Sequence, residues 1–152
     1  MSIETGRAYL RARGYEDRIQ EFSVSSATVE LAAQAVGCEP ARIAKTLSFA
    51  VDGGCVLIVC AGDTKFKAQF HTKATMLTPE QVLDFTGHAV GGVCPFGIDN
   101  PAVTTYLDVS LRRFDTVYPA AGNAASAVRL SCGELDILSN SSGWIDVCKN
   151  WS

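Results

Sequence analysis

The chain has 152 residues and a formal net charge of −3, enough for one domain with a real core and too few for two comfortable ones. Its apolar content is ordinary for a globular protein. The mild acidity argues against a basic nucleic-acid footprint over the whole surface, though not against a local patch. No apolar run approaches the roughly 20 residues a membrane helix needs. Met1 to Thr5 lack a basic segment followed by an apolar one, so no secretory signal is expected and the cytoplasm is the expected compartment. Six cysteines are spread singly, without a C-x-x-C pair, and His71 and His88 stand apart. Neither a structural zinc site nor a cofactor is expected from such a pattern, and free thiols are the simplest reading.

In chain order, residues 5 to 13 read as a short surface-lying helix ended by Gly14. Arg18 to Phe22 alternates like a strand. Thr28 to Val36 reads as a helix opened by Ser25 and Ser26 and closed by Gly37. Ile43 to Val51 and Cys55 to Ala61 form a hairpin about Asp52-Gly53-Gly54, the second strand apolar enough to be covered on both faces. Lys65 to Phe70 suggests a short helix and Thr75 to Leu77 a brief strand. Thr78-Pro79-Glu80-Gln81 is a helix start with a capping box. Ala89-Val90 runs as a strand into a glycine-rich loop. Ala102 to Leu107, Phe114 to Ala120, Ala127 to Leu130 and Trp144 to Val147 read as strands, with a turn over Asp108 to Leu111. A last helix begins at Ser131 with another capping box and runs to about Leu138. No linker or repeat divides the chain, so residues 1–152 are expected to form a single α+β domain.

Two features carry the chemistry. Lys45 shares a strand face with Ile43, Leu47, Phe49 and Val51, where a lysine is unexpected. It is either a snorkelling strand-end residue or an ammonium held for a purpose. The second feature is Gly91-Gly92-Val93-Cys94-Pro95-Phe96-Gly97. Its glycines let the backbone approach a ligand closely, and Pro95 stiffens the turn. Such a loop either grips a ligand through its N–H groups or merely connects two strands.

Ala41-Arg42-Ile43-Ala44-Lys45-Thr46-Leu47 followed by this glycine–proline loop resembles the YbaK-like family of prolyl-tRNA editing domains. The resemblance extends to Thr28-Val29-Glu30, Tyr106-Leu107-Asp108 and the Ala121-Gly122 loop, and so spans nearly the whole chain. It implies a mixed, mostly antiparallel, barrel-like sheet with flanking helices. It also implies a trans-editing hydrolase that cleaves the ester of a wrong amino acid on tRNA, here the proline tRNA carrying cysteine, alanine or serine. The acceptor end of an aminoacyl-tRNA would be the partner, with prolyl-tRNA synthetase as a second one. Lys45, Gly91 and Gly92 map onto the family's catalytic positions. With the family's loop mapping onto Gly91 to Pro95, the residues expected to bind substrate are Thr46, Phe49, Val93, Cys94, Pro95, Phe96, Gly97, Asp108 and Gly122. The segment between Gly62-Asp63 and Lys65 to Ala68 is a few residues shorter than in relatives, near the expected pocket mouth.

The residues themselves agree with that chemistry. An aminoacyl ester is already activated, and no Ser-His-Asp or Cys-His set is evident, so the site has to position the ester and stabilise its oxyanion. Water or a group of the substrate would attack. Cys94 is expected to be a small buried hydrophobe, and His88 a structural histidine. Asp108 either orients the substrate's α-amino group or caps the following turn. Phe49 and Phe96 either line the side-chain pocket or pack in the core. Lys65, Lys67, Lys73, Arg112 and Arg113 form either a basic rim for the acceptor stem or a solvated face. A non-catalytic module that binds tRNA ends or nucleotides, and a small-molecule esterase, are the rival readings.

Overall fold

The computed structural model describes residues 2–23, 28–66, 75–88 and 93–149. Its centre is the hairpin of β2 (Ile43–Val51) and β3 (Gly54–Ala61), paired from Ala44↔Ala61 to Val51↔Gly54. The turn between them holds Asp52 at φ 50° and Gly53 at φ 79°. Two successive left-handed residues match the right-handed twist of the strands, and glycine and aspartate tolerate that conformation.

Around the hairpin the chain runs α1 (Ser2–Arg11), β1 (Ile19–Glu21), α2 (Val29–Val36), β4 (Lys65–Phe66), β5 (Thr75–Met76), α3 (Pro79–Thr86), β6 (Val103–Asp108), β7 (Tyr118–Pro119), β8 (Ser126–Val128), α4 (Cys132–Leu138), β9 (Trp144–Ile145) and β10 (Cys148–Lys149). The main sheet has the order β5-β2-β3-β6-β9, with β7 also beside β2. β2 pairs antiparallel with β3 and β5, while β7 on β2, β6 on β3 and β9 on β6 are parallel. The described residues therefore form an α+β structure with a mixed sheet, in which antiparallel partners outnumber parallel ones. Antiparallel pairs β1–β8 and β4–β10 flank it.

The helices form where the sequence supplies both an amphipathic face and caps. Thr28 accepts from the Leu31 amide at 3.1 Å, and Gly37 closes α2 at φ 85°. Reciprocal capping boxes start α3 at Thr78/Gln81 and α4 at Ser131/Glu134. The core lies between the sheet and α1 and α4. It holds Leu10, Val59, Phe96, Leu107, Leu111, Val117, Val128, Leu130 and Leu135, each at most 1% exposed. A smaller cluster of Leu57, Leu77 and Val82 seats α3, and Ala32, Ala33 and Ile43 seat α2.

Four expectations change. Lys65–Phe66 is a strand on Cys148–Lys149 rather than the start of a helix, because a late segment of the chain supplies its ladder partner. Of the strand expected over Phe114 to Ala120, only Tyr118–Pro119 joins the main sheet. Phe114 closes the 3₁₀ turn Val109–Arg113, and Val117 makes a single bridge to Leu130. Arg18 ends a 3₁₀ turn, leaving Ile19–Glu21 as the strand. Of the strand expected over Trp144 to Val147 only Trp144–Ile145 forms, and β10 follows it in a different sheet. Residues 67–70 and the strand expected at 89–90 lie outside the described residues.

Candidate active site

A cavity of about 330 Å³ opens beside β2, where β5 and β7 leave a gap in the sheet edge. One wall is β2 itself, through Ala44, Lys45, Thr46 and Ser48. α2 contributes Val29 and Ala32, Leu77 enters from just before α3 and Val82 from its first turn, and Tyr118, Ala120, Ser126 and Ala127 complete the lining. Val93 reaches it from the glycine–proline loop. The wall is mostly small and aliphatic, with hydroxyls interspersed, and its size suits a small ligand group.

Lys45 lies at the boundary of this cavity. It stands opposite Cys60 in the hairpin ladder, and its Nζ donates to the carbonyl of Thr64 just beyond β3. Thr64 is 2% exposed, and its hydroxyl donates to the Ala61 carbonyl at 2.7 Å, so the turn carrying that acceptor is fixed. The ammonium is thus half-buried and aimed by a backbone dipole rather than hanging free in solvent. Cys60 and Cys148 are hydrogen bonded nearby. Cys60 is the more acidic thiol of the pair, held down first by the Cys148 hydrogen bond and further by the Thr64 hydroxyl and the charge of Lys45, against the cost of burial. Cys148 is pushed up, first by its bond to Cys60 and then by burial.

The other expected site residues are distributed as follows. Thr46 and Val93 join Lys45 in the cavity wall. Gly91 and Gly92 lie outside the described residues. Phe49 and Phe96 are 1% and 0% exposed and belong to the core; the Phe96 ring stacks on Tyr9 with centroids 6.3 Å apart. Cys94 is fully buried in the same core cluster as Phe96. Pro95 and Gly97 face away from the cavity, toward a second depression of about 510 Å³ that also involves Tyr9, Arg13 and Asn140. Asp108 is fully buried, with Oδ2 accepting from the Ser110 amide at 3.0 Å and Oδ1 from the Val147 amide at 2.9 Å. It takes the capping role rather than a place in the wall. Gly122, at φ 122°, shapes the loop that delivers Ala120 and Ser126 to the cavity.

Of the expected basic rim, Arg113 grips Asp63 with two bonds of 3.0 and 2.6 Å and lies over Phe114, while Arg112 lies over Trp144. The Arg113 hydrogen bond holds the Asp63 carboxyl below its usual range. Lys67 and Lys73 fall outside the described residues. Sequence reasoning missed Ser126, Tyr118 and the α2 residues of the wall. They come from three separate stretches, and only the small-residue run after Ala120 hinted at a surface where something fits closely.

A mixed sheet with a lysine at an open edge, walled by α2, α3 and the 120s loop, defines a class. The chain belongs to the aminoacyl-tRNA editing domain family, whose model matches residues 24–137. It is 49% identical to the Bacillus subtilis (strain 168) protein YwhH, with 99% of each chain covered. Among solved structures, a candidate trans-editing enzyme for prolyl tRNA synthetase matches with a TM-score of 0.85 and 31% identity over 98% of both chains. A scaffold protein used for computational epitope grafting matches with a TM-score of 0.87 and 28% identity, also over 98% of both. Among the described residues no helix is long and apolar enough to cross a membrane.

Proposed function

We propose that this chain is a deacylase that hydrolyses the ester of a wrong amino acid on tRNA, the tRNA being the proline acceptor and the amino acid a small one such as cysteine, alanine or serine. The observation that carries the reading is Lys45 in the wall of a small, largely aliphatic cavity at the open edge of β2. The confined volume favours a small side chain, and the ammonium supplies positive charge where an ester carbonyl would enter. A likeness to a candidate trans-editing enzyme for prolyl tRNA synthetase supports the choice of tRNA, and prolyl-tRNA synthetase is the natural partner on that reading.

The chemistry asks little of the protein. Water, or a hydroxyl or thiol of the substrate, attacks the ester carbonyl. The negative charge that grows on its oxygen is stabilised by the Lys45 ammonium and by backbone N–H groups. Confinement in the cavity holds the ester in one orientation, which lowers the entropic part of the barrier. No protein nucleophile is required.

The test is a deacylation panel in which proline tRNA is charged separately with cysteine, alanine, serine and proline. Release of one or more of the first three, with prolyl-tRNA spared, is the expected result. Failure to release any of them would remove the reading and leave a tRNA-end binding module or a small-molecule esterase.

A further inference from the structure

Along its outer edge β2 meets two different strands. Ile43 and Ala44 pair in parallel with Tyr118 and Pro119 of β7, and Phe49 and Ala50 pair antiparallel with Met76 and Thr75 of β5. The Leu77 amide donates to the Ser48 carbonyl at 3.3 Å. Backbone groups of successive residues in a strand turn to opposite edges. The Ser48 bond therefore sets the phase, and the even-numbered residues of β2 direct N–H and C=O outward. Ala44 and Ala50 meet β7 and β5 there. Between them lie the N–H and C=O of Thr46 and the N–H of Ser48, and no strand among the described residues pairs with them. Both residues line the cavity described above.

An unpaired edge ordinarily invites another strand. Here β5 and β7 close the gap from both ends, so a peptide has no path through it. What fits is a single residue with one amine and one carbonyl. Resting on the deacylase reading above, we infer that the amino acid of the substrate is itself bound as that residue, completing the sheet edge opposite Thr46. Its α-ammonium donates to the Thr46 carbonyl, and its ester carbonyl accepts from the Thr46 N–H, the two-bond exchange of a hydrogen-bonded antiparallel pair. The second bond strengthens as charge develops on the carbonyl oxygen, so the edge also serves the reaction. This contact ignores the side chain, which leaves the aliphatic wall to judge size. It requires a free α-amine, so an N-acylated chain, as on a peptidyl-tRNA, loses the ammonium and brings bulk into a closed gap.

The experiment has a binding arm and a kinetic arm. The probe for binding is 3′-amino-3′-deoxyadenosine carrying alanine in amide linkage, titrated into ¹⁵N-labelled protein. The Thr46 amide resonance is expected to shift and its hydrogen exchange to slow. The N-acetyl form of the probe should bind about tenfold more weakly or worse, the loss expected for one bond to a charged group. In the kinetic arm, N-acetyl-alanyl-tRNA should be hydrolysed slower than alanyl-tRNA by a similar factor. Equal rates for the two, or a Thr46 amide that does not respond to the probe, overturns the inference and leaves the deacylase intact. Failure to hydrolyse any aminoacyl-tRNA overturns the deacylase reading and the inference with it.

Discussion

The sulfur of Cys94 lies 3.5 Å from Nε2 of His88. The pair has the outline of a nucleophile and its base, and its surroundings deny it that role. Nε2 also lies 2.8 Å from the Phe96 carbonyl. A carbonyl only accepts, so Nε2 carries the proton and donates it there, leaving no lone pair on that nitrogen to take a proton from the thiol. Burial pushes the Cys94 thiol up to about 12, and both side chains are fully buried. Cys94 is therefore expected to resist alkylation by iodoacetamide in the native protein and to react once the protein is unfolded. Mass spectrometry during turnover should find no acyl group on it. A trapped thioester at Cys94 would refute the mechanism proposed above.

The same tautomer gives a pH dependence. With Nε2 protonated, Nδ1 of His88 is a buried acceptor with no partner among the described residues, and charging it would place a cation in the core. Burial accordingly lowers the His88 pKa from its usual value, against the opposing pull of the Phe96 bond. The unfolded chain takes up this proton near pH 6.5 and the folded chain only at lower pH. The contribution to stability is thus fully present above about pH 6.5 and is lost as pH falls through and below that value. Urea midpoints should decline from pH 7.5 to pH 5.5, before most carboxylates titrate. His88→Gln should flatten the decline in that window, whatever its effect on the midpoint at pH 7.5. An unchanged slope would show that another group is responsible.

Lys45→Ala addresses the proposed chemistry. Losing one transition-state contact of this kind costs about 3 kcal/mol, or about a hundredfold in rate. The fold should survive, because Lys45 contributes one hydrogen bond from a half-buried position. Deacylation rate and melting temperature measured on one preparation separate the two effects. A folded Lys45→Ala protein with unaltered turnover would remove Lys45 from the site.

Gly6 lets α1 lie close against the loop that follows Ala120. A Cβ built there would fall 2.0 Å from the carbonyl oxygen of Ala121. In a helix interior alanine is normally better than glycine by up to about 1 kcal/mol, so sequence propensity alone predicts that Gly6→Ala stabilises. The contact predicts the reverse. Either α1 or the 120s loop has to move, and that loop carries Ala120 and Ser126 of the cavity wall. A lower melting temperature is expected, together with deacylation reduced beyond the loss of folded protein. A gain in stability would mean that the helix and the loop are free to separate.

Local signals decided much of the molecule. The capping boxes at Thr78 and Ser131, the glycine after Val36 and the Asp52-Gly53 turn work through neighbours a few residues away, so their meaning survives without tertiary context. The alternation of β2 likewise placed Lys45 on an apolar face before any partner strand was known, and the motif around it named the family. Pairing across long separations decided the rest. Lys65–Phe66 became a strand because Cys148–Lys149 lies beside it, and Phe96 became core because Tyr9, far earlier in the chain, covers its ring. Asp108 was drawn from a choice of two roles into capping by the Ser110 and Val147 amides. The cavity itself belongs to this second class. It exists because β5 and β7 dock on opposite ends of one strand and leave Thr46 between them, and no local pattern in a sequence records where two other strands stop.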